Sequence, residues 1–193
     1  MPPNKLIVLS APTGSGKNTI ANMLMEEDKR FEETISCTTR RHREGEKNAV
    51  HYYFISEDEF KEKIKNEDFV EWEKVHDKFF YGTLKAEIER IVKKGKIPIL
   101  VIEVNGGRNI KKIFPDSILV FIKPNSFENI ESRIRKRAKI SEEEVRARLK
   151  TAKNELKMSK YYDCIITNPE GHPEEAVEEL KNIIEKHICL KKY

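Results

Sequence analysis

Four runs of the chain are apolar at nearly every position over the length of a strand: Leu6-Ile7-Val8-Leu9, Ile97 to Glu103 (IPILVIE), Ser117 to Ile122 (SILVFI) and Cys164 to Thr167 (CIIT). Strands covered on both faces read this way, because neither face needs polar side chains. Pro98 sits near the start of its run, where a missing N–H is tolerated. Helical patterns separate the runs. Ile20, Met23 and Leu24 share one face after the first. Ala176, Val177, Leu180, Ile183, Ile184 and Ile188 form one stripe behind a Pro173-Glu174-Glu175 start. Alternating buried strands and amphipathic helices predict an α/β fold, a parallel sheet with helices on both faces.

Between Thr34 and Lys85 the pattern changes. Tyr52-Tyr53-Phe54-Ile55, Phe69-Val70-Glu71-Trp72 and Phe79-Phe80-Tyr81 are short aromatic and β-branched segments, and Glu57 to Lys65 has a helical pattern. A small α+β lobe, about 34–94, is predicted as an insertion into a core of 1–33 and 95–193. No repeat or low-complexity linker divides the 193 residues further, so one domain is expected.

Composition limits the function. The 37 basic and 33 acidic side chains leave a net charge of only +4, too balanced to predict nucleic-acid binding. No run approaches the ~20 apolar residues that span a bilayer. The first residues lack the parts of a secretory signal, so no membrane role is expected. Cys37, Cys164 and Cys189 are odd in number and widely spaced, which predicts reduced thiols and a cytoplasmic location.

The chemistry begins at Ala11-Pro12-Thr13-Gly14-Ser15-Gly16-Lys17-Asn18-Thr19, which follows the first buried strand and opens a helix. That is the context of a phosphate-binding P-loop, and it makes the expected fold P-loop NTPase-type. Gly14 and Gly16 let backbone N–H groups turn around phosphate oxygens, and the helix N-terminus adds donors and a favourable dipole. Lys17 is placed to reach the β- and γ-phosphates. Ala11 replaces the first glycine of GxxxxGK[ST], and Asn18 replaces the hydroxyl that normally touches Mg²⁺. Thr19 keeps a hydroxyl one residue on, suited to the α-phosphate.

A second constellation follows. Ser36-Cys37-Thr38-Thr39-Arg40-Arg41-His42-Arg43-Glu44-Gly45-Glu46 precedes Tyr52, then Phe69-Val70-Glu71-Trp72, then Tyr81-Gly82-Thr83. Arg40, Arg43, Tyr52 and Tyr81 are suitable donors for a dianionic phosphate. Glu71 can accept two neighbouring N–H donors on one edge of a base. The stretch RIRKRAKISEEEVRAR, Arg133 to Arg148, reads equally as a solvated helix face with i,i+4 charge pairs or as a source of positive charge for a triphosphate.

This series resembles the guanylate kinase family, whose pattern runs SxTTRxxRxGE, a tyrosine, FxEW, then YGT or YGS. Order and spacing agree from the P-loop to about Asn168. The resemblance implies ATP-dependent phosphorylation of GMP, with dGMP as a further acceptor and Mg²⁺ as cofactor. It implies GMP contacts at Ser36, Arg40, Arg43, Tyr52, Glu71, Tyr81, Gly82, Thr83 and Glu103. It implies lid arginines at Arg133 and Arg137, within a helical lid at about 133–148, a further phosphate-reaching arginine at Arg148, and Asn168 at the adenine end of ATP. Lys17, Arg40, Arg133, Arg137 and Arg148 are the expected catalytic residues, and Asn18 and Glu103 the expected metal contacts, directly or through water. The family's first strand acid is Val101 here, its glutamine is Asn105, its glycine before the lobe tyrosine is Ala49, and its lid glycine is Ala138. Two other readings stay open: a guanylate-kinase-like binding module, against which Lys17 argues, and a P-loop kinase with another acceptor, against which Glu71 and Ser36 argue. Monomer and homodimer are both open.

Overall fold

The described residues of this computed structural model are 6–75, 78–137 and 141–189, less the side chains of Arg108, Arg137, Ile188 and Cys189. The expected places of Arg137 and Ala138 in the lid and of Ile188 in the last apolar stripe lie outside them. Along the chain come β1 (Ile7–Ser10), α1 (Lys17–Glu27), β2 (Phe31–Glu33), β3 (Cys37–Thr38), β4 (Tyr53–Phe54), α2 (Glu57–Lys65), β5 (Phe69–Val75) and β6 (Phe79–Leu84). Then come α3 (Lys85–Lys93), β7 (Ile97–Val101), α4 (Val104–Ile113), β8 (Ile118–Pro124), α5 (Phe127–Arg137), α6 (Glu142–Lys157), β9 (Cys164–Asn168) and α7 (Pro173–Cys189).

Five strands form a sheet in the order β2-β7-β1-β8-β9, with every neighbouring pair parallel. The continuous apolar runs are explained by burial on both faces. Ile7, Leu9, Ile99, Val120 and Ile122 pack under α1 and α7, through Ile20, Leu24, Val177, Leu180 and Ile184. The alternate residues Leu6, Val8, Leu100, Leu119 and Phe121 pack under α3 and α4, through Ile88 and Ile110. The run expected to reach Glu103 as strand stops at Val101. Glu103 instead has an extended backbone as the N-cap of α4, which turns its side chain out of the sheet layer.

A second sheet, β4-β3-β6-β5, lies between β2 and α3 in the chain. Its core is aromatic: Phe60 of α2 stacks on Phe69 at 4.4 Å and on Phe80 at 5.2 Å. Each fully buried ring of this kind contributes roughly 1.5–3 kcal/mol by leaving water. Ser56 caps α2, accepting from the Glu59 N–H at 3.1 Å, and three acidic residues in the first turn complement the helix dipole. A register shift in the β5–β6 pair falls between Phe69 and Glu71. Such a bulge re-aims the strand. After it, Glu71, Glu73 and Val75 all face one cavity, while Trp72 lies on the outer face against Phe80.

Helices α5 and α6 share a small core of Ile130, Ile134, Val145 and Ala152. The basic stretch thus has an apolar inner face and an ion-paired outer one, where Arg135 bonds Glu131 and Glu142. No helix among the described residues is long and apolar enough to cross a membrane.

Ala49 occupies a left-handed backbone conformation at φ 59°, its N–H donating to the Tyr52 carbonyl at 2.8 Å. A side chain there costs about 1–2 kcal/mol, whereas glycine loses about 0.5–1 kcal/mol more entropy on folding than alanine. Ala49→Gly should therefore stabilise the protein by about 0.5–1 kcal/mol, read as a higher denaturant midpoint at unchanged slope. A lower midpoint would show that the turn is unstrained.

Candidate active site

The loop after β1 closes as a turn, the Ser15 N–H donating to the Pro12 carbonyl at 3.1 Å, and enters α1 at Lys17. Gly14 and Gly16 have φ 86° and 85°, so both supply the backbone that the sequence assigned to them. Gly16 is constrained twice, because a Cβ there would collide with the Asn168 amide. Ala11 to Thr19 together line a cavity of about 180 Å³. Lys17 donates to the Ile102 carbonyl at 2.8 Å and stands 3.6 Å from Glu103. Asn18 and Thr19 are exposed on the same cavity.

A second cavity, of about 320 Å³, opens between the two sheets. On its lobe side a hydrogen-bonded chain runs from Ser36 Oγ to Thr83 Oγ1 (3.5 Å) and from Thr83 Oγ1 to Glu71 Oε1 (2.8 Å). Glu71 and Thr83 are cross-strand partners and both are buried. Gly82 permits the close strand approach: a Cβ there would sit 2.9 Å from the Glu71 carbonyl. Arg43, Tyr52 and Tyr81 line the same cavity, the two tyrosine rings edge to face at 6.0 Å. Thr13, Tyr52, Val101 and Glu103 line both cavities.

Arg40, Arg133 and Arg148 are brought to this region with protein partners. Arg40 forms a two-point pair with Glu46 at 2.8 and 2.9 Å, donates to Tyr81 Oη at 3.2 Å, and lies over the Tyr52 ring. It stands behind the tyrosines, outside the cavity lining. Arg133 donates to the Gly14 carbonyl at 2.9 Å, and Arg148, on the cavity wall, to Glu144 at 2.6 Å. Asn168, at the end of β9, donates to the Ser15 carbonyl at 2.8 Å. With Gly14, Gly16, Arg133 and Pro169 it borders a third cavity, of about 430 Å³, on the other side of the loop.

A sequence model of the guanylate kinase family matches residues 3–187. The chain belongs to the guanylate kinase family. It is 42% identical over 183 residues to a guanylate kinase of Fusobacterium nucleatum, covering 95% of this chain and 97% of that protein. It is 41% identical over 187 residues to one of Mycoplasmopsis pulmonis, covering 94% of each. The crystal structure of guanylate kinase from Anaplasma phagocytophilum superposes with a TM-score of 0.74 at 31% identity, covering 94% of this chain and 84% of that one.

Four carboxylates of this guanylate kinase family member escaped the sequence reading. Glu87 anchors the entry to the lobe, accepting from the Ile35 N–H and Tyr53 Oη at 2.9 Å each, and pairs with Arg90. Glu33 ends β2, where burial pushes its carboxyl up to about 7 against the pull of Lys17. Glu155 of α6 is likewise raised by burial to about 7, with Glu103 adding to the rise and the Thr13 N–H and Lys17 opposing it. Glu73 faces the second cavity beside Glu71. On the sequence each looks like ordinary helix or strand charge, and only the fold shows what each one contacts.

Burial also pushes Glu71 up to about 7, with the Thr83 hydrogen bonds lowering it and Glu73 and Glu103 raising it further. An unfolded glutamate titrates near ~4.3. Between ~4.3 and 7 the folded protein holds a proton that the unfolded chain has released, so this group's contribution falls as pH rises through that window. Glu71→Gln removes the effect. Without nucleotide, the variant's Tm should rise relative to wild type between about pH 5 and about pH 8. A Tm difference that stays constant across that range would place Glu71 in a solvated environment.

Proposed function

We propose that the chain transfers the γ-phosphoryl group of ATP to the phosphate of GMP by direct in-line displacement, with dGMP as a further acceptor. A GMP phosphate oxygen forms the new bond to phosphorus, the bond to the β,γ-bridging oxygen breaks, and ADP leaves. The carrying observation is that the loop cavity and the lobe cavity adjoin, with Thr13, Tyr52, Val101 and Glu103 common to both. Two phosphates held from opposite sides meet there with no protein nucleophile required between them.

Each role follows from chemistry. The loop N–H groups and Lys17 cradle the β- and γ-phosphates. Lys17 exchanges its contacts with Ile102 and Glu103 for phosphate oxygens. Glu71 accepts from N1–H and the 2-amino group of guanine, with Thr83 and Ser36 fixing its orientation. Arg43, Tyr52 and Tyr81 meet the GMP phosphate, and Arg40 reaches it past Tyr81. Arg133, Arg137 and Arg148 neutralise charge on the transferred group, since such chemistry is mostly positioning and electrostatics. The third cavity, closed by Asn168, takes the adenine end of ATP. Closure of the lobe and of the α5–α6 pair over both nucleotides excludes water.

Magnesium fits the donor set. No cluster of three or more His, Cys, Asp or Glu residues able to hold a metal occurs among the described residues. Mg²⁺ held chiefly by water and phosphate needs no such cluster. Asn18 and Glu103, both on the loop cavity, would supply one neutral and one anionic oxygen, directly or through water, while Val101 would supply none. The ion lends positive charge to the phosphate oxygens when bound.

Steady-state assays with ATP and GMP, dGMP, AMP, CMP or UMP, with and without Mg²⁺, test the reading. GMP should give the highest kcat/KM, dependent on Mg²⁺, and Lys17→Ala should lower kcat by about 10²–10³-fold. No turnover of GMP beside turnover of another acceptor would overturn it.

A further inference from the structure

We propose that Glu73 is a second base-reading carboxylate, which accepts from the 2-amino group of guanine and sets the preference for guanine over purines that lack it. The inference rests on the GMP reading above and adds a residue outside the FxEW motif.

The backbone puts Glu73 where this role requires. The regular alternation of β5 after its bulge puts Glu71 and Glu73 on the same side, opposite Thr83 and Tyr81 respectively. Both line the cavity of about 320 Å³ between the sheets. The two oxygens of Glu73 differ sharply. Oε1 accepts from Asn105 Nδ2, on the first turn of α4, at 2.9 Å. Oε2 has no hydrogen-bond partner among the described residues and is covered, on the cavity side too, in the unliganded protein, so a base meets it only as the lobe shifts on nucleotide binding. Asn105 therefore fixes the carboxylate plane and leaves one buried acceptor unmatched. A buried acceptor of this kind calls for a donor.

Counting hydrogen-bond sites identifies that donor. The N1–H and 2-amino group of guanine present three N–H bonds along one edge. Glu71 already spends part of Oε1 on the Thr83 hydroxyl at 2.8 Å. Its remaining acceptor capacity suits N1–H and one amino N–H, and the second amino N–H needs another acceptor. Glu73 Oε2 supplies it. Two neighbouring carboxylates also repel a base with acceptors on this edge, such as the C2 carbonyl of xanthine. A base with only C2–H, hypoxanthine, meets Glu71 but gives Glu73 nothing to accept.

The test compares GMP, IMP and XMP as acceptors at saturating ATP, using wild type, Glu73→Ala and Glu73→Gln. Glu73→Ala should lower kcat/KM for GMP roughly 10-fold and leave IMP within about 2-fold, so the GMP:IMP ratio falls. Glu73→Gln is sharper. Asn105 keeps the amide oxygen, so the amide NH₂ faces the base. GMP should lose at least as much as in Glu73→Ala, and XMP should improve over wild type. Tm and ATP affinity serve as fold controls. Equal losses for GMP and IMP in both variants, or no gain for XMP in Glu73→Gln, would overturn the role of Glu73 while the GMP reading stands. Absence of GMP turnover by wild type would overturn both.

Discussion

The site is governed by one constraint: a buried carboxylate must find a donor or hold a proton. Glu71, Glu73 and Glu155 converge on the junction between the main sheet and the lobe, with Glu103 beside them and the Lys17 ammonium 3.6 Å from Glu103. Glu71 and Glu155 both titrate near neutrality, because water is largely withheld from them. Nucleotides bring the missing complement. In the proposed reaction the guanine edge carries N–H donors for Glu71, and the phosphates carry negative charge for Lys17 and the arginines. The unliganded protein thus tolerates unfavourable electrostatics at the place where binding relieves them.

The fold delivers these groups from separate elements. The C-terminal ends of parallel strands β1 and β7 carry the phosphate loop and Glu103, the usual place for ligands in such sheets. The lobe brings Glu71 and Thr83 as a cross-strand pair. Helix α5 touches the loop through Arg133, and α6 reaches the cavity through Arg148. The cationic side chains are held by exchangeable partners: Arg40 by Glu46, Arg148 by Glu144, and Lys17 by a carbonyl. Such pairs fix direction and can be traded for phosphate oxygens of similar hydrogen-bonding capacity.

Much of this was legible in the chain. The four apolar runs are strands of the main sheet, and the Glu57 to Lys65 pattern is helix α2. The loop context was legible from its own local signature, whereas Ser36 and Thr83 came only from the family pattern, and the fold joins them to Glu71 in one hydrogen-bonded chain. Strand β2 was not legible: its Phe31-Glu32-Glu33 is too short and too acidic to announce a buried edge position. Nor were Glu33, Glu73, Glu87 and Glu155, whose significance depends on contacts far along the chain. The change of Glu103 from strand to helix cap shows the same limit, since IPILVIE reads as one apolar run. Ala49 is the converse case: its departure from the family glycine was visible, and the backbone shows what that costs.

Under the proposed GMP reading, Glu71 surrenders a proton as it accepts guanine. Calorimetric titration of GMP near pH 7, in buffers of different ionisation enthalpy, reads this directly as the difference in proton release between wild type and Glu71→Gln. Both proteins share any proton lost from the GMP phosphate, so the difference isolates the carboxyl. Wild type should release a fraction of a proton more than the variant, the excess shrinking as pH rises above about 7. Equal release by the two proteins at every pH would contradict the account.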